Sequence, residues 1–414
     1  MQKKSMMRAR ISSWSALATL LALACGSPGA APPAETPPES GEGKKAEPRD
    51  FESMSKREAE GLKPHAVAAK GGEWKGQVPA TKAPTIQGIE QGTIMEIEIG
   101  SEAPIICTVF HTEIVAGAAL NSQVQNAAKS VKVEAAALQD VAMLAGSPAA
   151  LGAIIYTHEG ARGTVKTFVQ TSLDRPVVCV HDEVGYGQTF KRVARALVES
   201  LEYTPILGKP ESMSSYRIRM GEQWVGFGQD WIHRRKKGGY VEIEKSVMFL
   251  PLEGGGVKST DSATVQEVDA HGRVLKSSET KLEDGQLSME IKLEKTKGWS
   301  YRYEGRLQGK KVSGTFKTKQ GLAGVVSKRK TLQQLLKQPK PATFKLEQYM
   351  PSHDPTKATD MAYTLDPAAS QLESQLGKLS LTERLDSKGQ TLSGEMRIGP
   401  LNFQMEALAT EGEI

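Results

Sequence analysis

Between residues 216 and 349 the chain alternates β-branched and aromatic runs with tight turn clusters, and this rhythm constrains the fold more than any other feature. Tyr216–Met220, Gln223–Arg234, Tyr240–Leu250, Thr260–Val268, Arg273–Lys281, Gln286–Lys295, Trp299–Glu304, Lys311–Thr318 and Phe344–Tyr349 read as strands. The turns between them, such as Lys237 to Gly239, Glu253 to Gly256, Asp269 to Gly272 and Asp284-Gly285, are short and glycine-bearing. Strands joined this way pair with their chain neighbours, so the pattern predicts an antiparallel meander. Leu332, Leu335 and Leu336 predict a helix at about 327–338. Asp269, Gly272 and Leu275 recur 117 positions later as Asp386, Gly389 and Leu392. Either half a sheet is duplicated, or two hairpins share one turn chemistry.

Residues 65–207 have a mixed texture. Met95, Ile97 and Ile99 alternate with polar neighbours, and Ile105–Phe110, Gly152–Glu159, Thr164–Thr171 and Pro176–His181 follow as strands. Leu120, Val124 and Ala127 suit a helix over 117–129, while the Ala-rich segment 131–150 suits strand or helix equally. Phe190, Val193, Ala194, Leu197, Val198 and Leu201 form one apolar stripe, predicting a helix over 188–202 capped by Thr189. The expected fold class is α+β: a small α/β sandwich with an antiparallel sheet at 65–207, then a mostly-β antiparallel meander or half-barrel at 211–414. Strands followed by a helix carrying Tyr186, Phe190, Val193, Ser200 and Leu201 resemble the PsbP-like α/β/α sandwich over residues 85–205. The curved meander with its helix, over residues 213–410, resembles half-barrel lipoprotein-carrier proteins of the bacterial envelope. It also resembles the β regions that accompany transglutaminase-like domains. Both of these likenesses are architectural.

The amino terminus sets a location. Lys3, Lys4, Arg8 and Arg10 precede an apolar stretch from Ile11 to Ala24, and no acidic residue occurs before Glu35. Fourteen residues are too few to cross a bilayer, which takes about 20, and the pattern is that of a secretory leader over 1–24. Ala22-Leu23-Ala24-Cys25 resembles a bacterial lipobox, with Ala22 where Leu is usual and Leu23 where a smaller residue is commoner. The resemblance implies acylation of Cys25, and Gly26 after it implies the outer membrane. Plain cleavage at Ala22-Leu23-Ala24 also fits. Residues 25–64 then carry seven prolines among Gly, Ser, Glu and Lys, a composition expected of a disordered tether. Removing residues 1–24 lowers Lys+Arg from 53 to 49 against 48 Asp+Glu. A near-neutral body gives no electrostatic ground for binding nucleic acid. The run Arg234 to Lys237 reads as a solvated hairpin tip.

Candidate chemistry is sparse. An exported chain permits a disulfide between Cys107 and Cys179, each in a strand-like run, closing about 72 residues for about 4 kcal/mol. Two buried thiols are the alternative. Cys179, His181, Asp182 and Glu183 form the densest titratable cluster, with a nucleophilic role weighed against a core strand ending in polar residues. His111, His158 and His181 lack metal-ligand spacing, no metal or other cofactor is called for, and Gly185-Tyr186-Gly187 reads as a tight turn rather than a phosphate loop. Trp299, Tyr301 and Tyr303 share one side of a strand, either as core or as the lining of a ligand cavity. The expectation is a non-enzymatic, membrane-tethered envelope lipoprotein that binds or scaffolds, its partners being the membrane through the anchor and another envelope protein or a lipid. The alternatives are a carrier of a lipid or other apolar ligand in the half-barrel, and a cysteine- or histidine-dependent hydrolase or transferase.

Overall fold

The computed structural model describes residues 51–205, 208–376 and 379–412. The expected leader, Cys25 and most of the tether lie outside these residues. The described part is 57% strand and 13% helix, with 21 strands in one antiparallel sheet. This corrects the α+β expectation: the chain is mostly β, and its first half joins the same sheet as its second.

Two features account for the difference. The Ala-rich segment that suited either state forms two long strands, β6 (Lys132–Leu144) and β7 (Ser147–His158), paired as a hairpin. Strand β7 is covered on each face along much of its length, and two bulges interrupt the alternation of β6, which together erase the period-two signal. In addition, β6 reaches across to the second half, where Leu138 pairs with Trp224 of β12 (Gln223–Arg234).

In the first half, β3 (Thr85–Ile89), β4 (Gly92–Ile97), β5 (Ile105–Phe110), β9 (Val177–Asp182), β8 (Ala161–Gln170), β7 and β6 lie side by side in that order. A separate small sheet joins β1 (Lys63–Ala68), β2 (Trp74–Ala80) and β10 (Glu202–Tyr203). Helix α3 (Gly187–Ser200) fills the gap between the sheets, burying Phe190, Val193, Ala194 and Leu197 against Trp74, Ile97 and Ile105. Helix α2 (Ala116–Ala128) covers the opposite face of the larger sheet. Part of the expected tether is folded: α1 (Phe51–Ser55) and the residues after it dock at the amino end of α3. Gly185 is required there, with φ +88° and the Met54 carbonyl oxygen 2.4 Å from where a Cβ would sit.

The second half is a meander. Strands β11 (Ser212–Met220), β12, β13 (Tyr240–Pro251), β14 (Val257–Val268), β15 (Val274–Glu283), β16 (Gln286–Lys295), β17 (Ser300–Leu307) and β18 (Lys310–Lys317) pair in sequence. A second run pairs from β19 (Ala342–Gln348) through β20 (Thr359–Asp366), β21 (Gln371–Leu376), β22 (Leu379–Leu385) and β23 (Thr391–Ile398) to β24 (Leu401–Gly412). Strand β24 closes onto β11. Helix α4 (Val325–Leu335) reports the curvature. Its residues meet Glu242 on β13, Glu383 on β22 and Tyr363 on β20. Seven strand spacings would span about 34 Å if flat, whereas eleven helical residues extend about 16 Å. The sheet therefore curls around the helix, which plugs one end of a half-barrel. Two matching turns grip it there: Asp269 caps its own turn before Gly272, Asp386 does the same before Gly389, and both glycines abut α4.

Candidate functional site

The two faces of β12–β15 have opposite characters. Glu242, Glu244 and Ser246 point into the half-barrel, whereas Ile243, Lys245 and Val247 alternate with them and face outward toward the first half. Part of this outer face packs against α2 through Phe227, Val247, Phe249 and Val257. The remainder is left uncovered where the segment entering α2 and the β8–β9 loop stand away from it. The result is a cleft of about 300 Å³, within the lower range of small-molecule sites.

Its walls are mainly apolar: Ile114, Leu173, Trp231, Ile243, Val265 and Leu282 line it. Trp231 and Ile243 are nearly buried, while Val265 is 43% exposed at the rim. One cation stands in this wall. The Lys245 ammonium lies 2.8 Å from Glu113 and 5.7 Å from the centre of the Trp231 ring. Burial pulls its pKa below the ordinary lysine value, and Glu113 opposes that shift. Asp261 also borders the cleft, but its carboxylate is committed to α2, accepting from Gly117 N–H at 2.7 Å and Ala118 N–H at 3.0 Å. Burial raises its pKa to about 7 despite those donors.

Residues expected to carry chemistry are otherwise engaged. Cys107 and Cys179 are directly opposed on β5 and β9 and joined in a disulfide, so neither offers a thiolate. His181 is buried between Tyr186 and Phe190, with Nε2 3.3 Å from the Ala103 carbonyl. Asp182 accepts from the Tyr156 hydroxyl, and Glu183 meets Arg57 and the Ala103 N–H. His158 sits exposed at the β7–β8 turn, away from His181. Among the described residues no three His, Cys, Asp or Glu side chains gather as a metal site.

Tyr301 and Tyr303 are buried and pack on Phe316. The Tyr301 hydroxyl donates to the Val274 carbonyl and accepts from Leu322 N–H, tying the chain before α4 to β15. Trp299 lies under the Lys295 ammonium at 4.0 Å, over Gly321. Arg234 and Arg235, in the basic run, pair with Glu211 and Glu267 beside the hairpin turn.

The cleft residues escaped sequence reasoning because they come from six separated stretches. Only Lys245 within an otherwise alternating strand was a local signal.

No family model matches the chain, and no curated protein matches it. Among solved structures it is similar to a β-barrel-like protein of a domain of unknown function, DUF1849, from Brucella abortus. That pair shares 10% identity over 50% of this chain and 98% of the other, with a TM-score of 0.37. A protein from Bacteroides thetaiotaomicron aligns over 38% of this chain and 54% of its own, with 13% identity and a TM-score of 0.23.

Proposed function

We propose that this chain is a non-enzymatic binding protein of the bacterial envelope, acylated at Cys25 and held to the outer membrane through the Pro-rich segment that follows. In this reading the cleft beside α2 takes a small amphiphile, its apolar body against Trp231, Ile243 and Leu282 and its anionic end at Lys245. The observation that carries the reading is a preformed, mostly apolar cleft holding one cation whose close counter-ion among the described residues, Glu113, is itself half in solvent. Displacing Glu113 by a bound carboxylate or phosphate would keep the ammonium paired. Binding is favoured over turnover because the thiols are bridged and Asp261 is bonded to a helix end.

Dansyl-undecanoic acid is a suitable probe. Its fluorescence should rise saturably with the protein and be lost at least tenfold in Ala263→Phe, which fills the cleft. Lys245→Met should weaken the acid but not the corresponding neutral amide. Equal binding in wild type and Ala263→Phe would remove the cleft from consideration. The anchor is tested separately: Cys25→Ala should abolish the acyl mass increment and membrane fractionation.

A further inference from the structure

The concave face of the half-barrel carries a different feature. Directly opposed residues form one row across six strands: Thr410, Ser214, Asp230, Glu244, Thr264 and Glu279. Three are carboxylates and none is basic. Asp230 and Glu244 are immediate cross-strand neighbours, an arrangement that destabilises a sheet when both are charged. Neither they nor Glu279 forms a hydrogen bond or contact ion pair among the described residues, and one Asp230 oxygen is sealed from solvent without a partner. The enclosing half-barrel desolvates all three carboxyls and raises their pKa values, although Glu244 keeps contact with solvent, and the charge of Glu244 adds to the effect on Asp230 and Glu279.

Independent of the acids, Ser214 is only 9% exposed, stands opposite Asp230, and its hydroxyl also has no partner. Buried polar groups left unsatisfied in a native fold call for a specific explanation, such as a ligand. The neighbouring cations are already placed: Lys328 pairs with Glu383 at 3.1 Å, Arg329 donates to Ser212, and Lys281 pairs with Glu283 at 2.8 Å.

The next row away from α4 runs Tyr216, Gly228, Ser246, Ser262 and Lys281, with small side chains at its centre. Gly228 is needed there because the Tyr216 phenol lies 2.4 Å from where a Cβ would be. Behind this row Glu244 stays exposed although it sits on the concave face.

We propose that Asp230, Glu244 and Glu279, with Ser214, bind a linear organic polycation of the polyamine class inside the half-barrel. A compact metal ion fits poorly, because no three acidic or histidine ligands converge among the described residues. The carboxylates are instead strung out, one strand apart and then two, about 5 Å and about 10 Å. Ammonium groups along a flexible chain match such intervals, and the serine hydroxyl accepts a further N–H. This site is on the opposite face of the sheet from the cleft and does not depend on it.

The test is titration calorimetry of spermidine into the detergent-solubilised full chain at low salt. Saturable 1:1 binding is expected, at least tenfold weaker in Asp230→Asn/Glu244→Gln and unchanged in Glu290→Gln/Glu304→Gln. Ala263→Phe, in the cleft, should leave it intact. Absence of saturable binding, or equal affinity in both double variants, would overturn the assignment. So would Ca²⁺ alone binding with the same variant dependence. If the lumen double variant loses its circular-dichroism spectrum, Glu279→Gln decides: at least a threefold weakening supports the site, and no change sinks it.

Discussion

His181 shows what burial does to one side chain. It is 1% exposed, stacked near Phe190 and close to the Lys166 ammonium. Burial first, and Lys166 second, lower its pKa from 6.5 to about 4. Between those values the unfolded chain takes up a proton that the native state refuses, so stability is complete above pH 6.5 and falls as pH drops toward 4. The loss amounts to about 3 kcal/mol. Urea unfolding at pH 7.0, 5.5 and 4.5 should show His181→Gln losing less stability than wild type over that window. Parallel slopes in the two proteins would refute this. Asp261 and Glu242 act in the opposite sense, since burial raises both to about 7 and their contribution is lost as pH rises from about 4 through 7. The comparison with the variant isolates the histidine from them.

At the scale of elements, the three long helices share a device. None has a capping side chain of its own: the residues before them are Val115, Tyr186 and Gly324. Each amino end is instead met by a carboxylate from elsewhere. Asp261 takes the first N–H groups of α2, Glu58 those of Gln188 and Thr189 in α3, and Glu242 those of Val325 and Val326 in α4. A carboxylate there satisfies orphan donors and complements the helix dipole. Because Asp261 and Glu242 are buried, their removal leaves N–H groups without water. Asp261→Ala and Glu242→Ala should each cost about 2 kcal/mol, and the exposed Glu58→Ala about 1 kcal/mol, in equilibrium unfolding. Asp261→Asn keeps an acceptor and should fall between Asp261→Ala and wild type. A cost below about 0.5 kcal/mol for both buried variants would remove the capping role.

For the whole molecule the decisive feature is the seam. Phe227, Val247, Phe249 and Val257 of the half-barrel share one core with Phe110, Leu120, Val141 and Val169 of the first half. Two halves that share a core unfold together, so a single cooperative transition is expected for probes on either side. Phe249→Ala should lower stability by about 3–5 kcal/mol and shift the unfolding midpoint equally for fluorescence from Trp74 and from Trp299. Separate midpoints, with only one of them moved, would show two independent units.

Much of the local structure was legible in sequence. The meander at 216–349, the turns at Asp269 and Asp386, and the stripe from Phe190 to Leu201 all follow from period and turn chemistry, which act over a few residues. Segment 131–150 was not legible, because alanine is compatible with both states and burial on each face hides the strand period. Neither were the cleft or the polar row, whose members lie tens to hundreds of residues apart in the chain. The helix at 188–202 was expected to be capped by Thr189, but the cap comes from Glu58, about 130 residues earlier. Where strands and turns form thus follows from residues read locally, since those choices depend on neighbours along the chain. Which strands meet, which carboxylate caps which helix, and which face of β12–β15 is greasy or acidic are settled by the folded arrangement, because curvature and sheet order bring distant residues together.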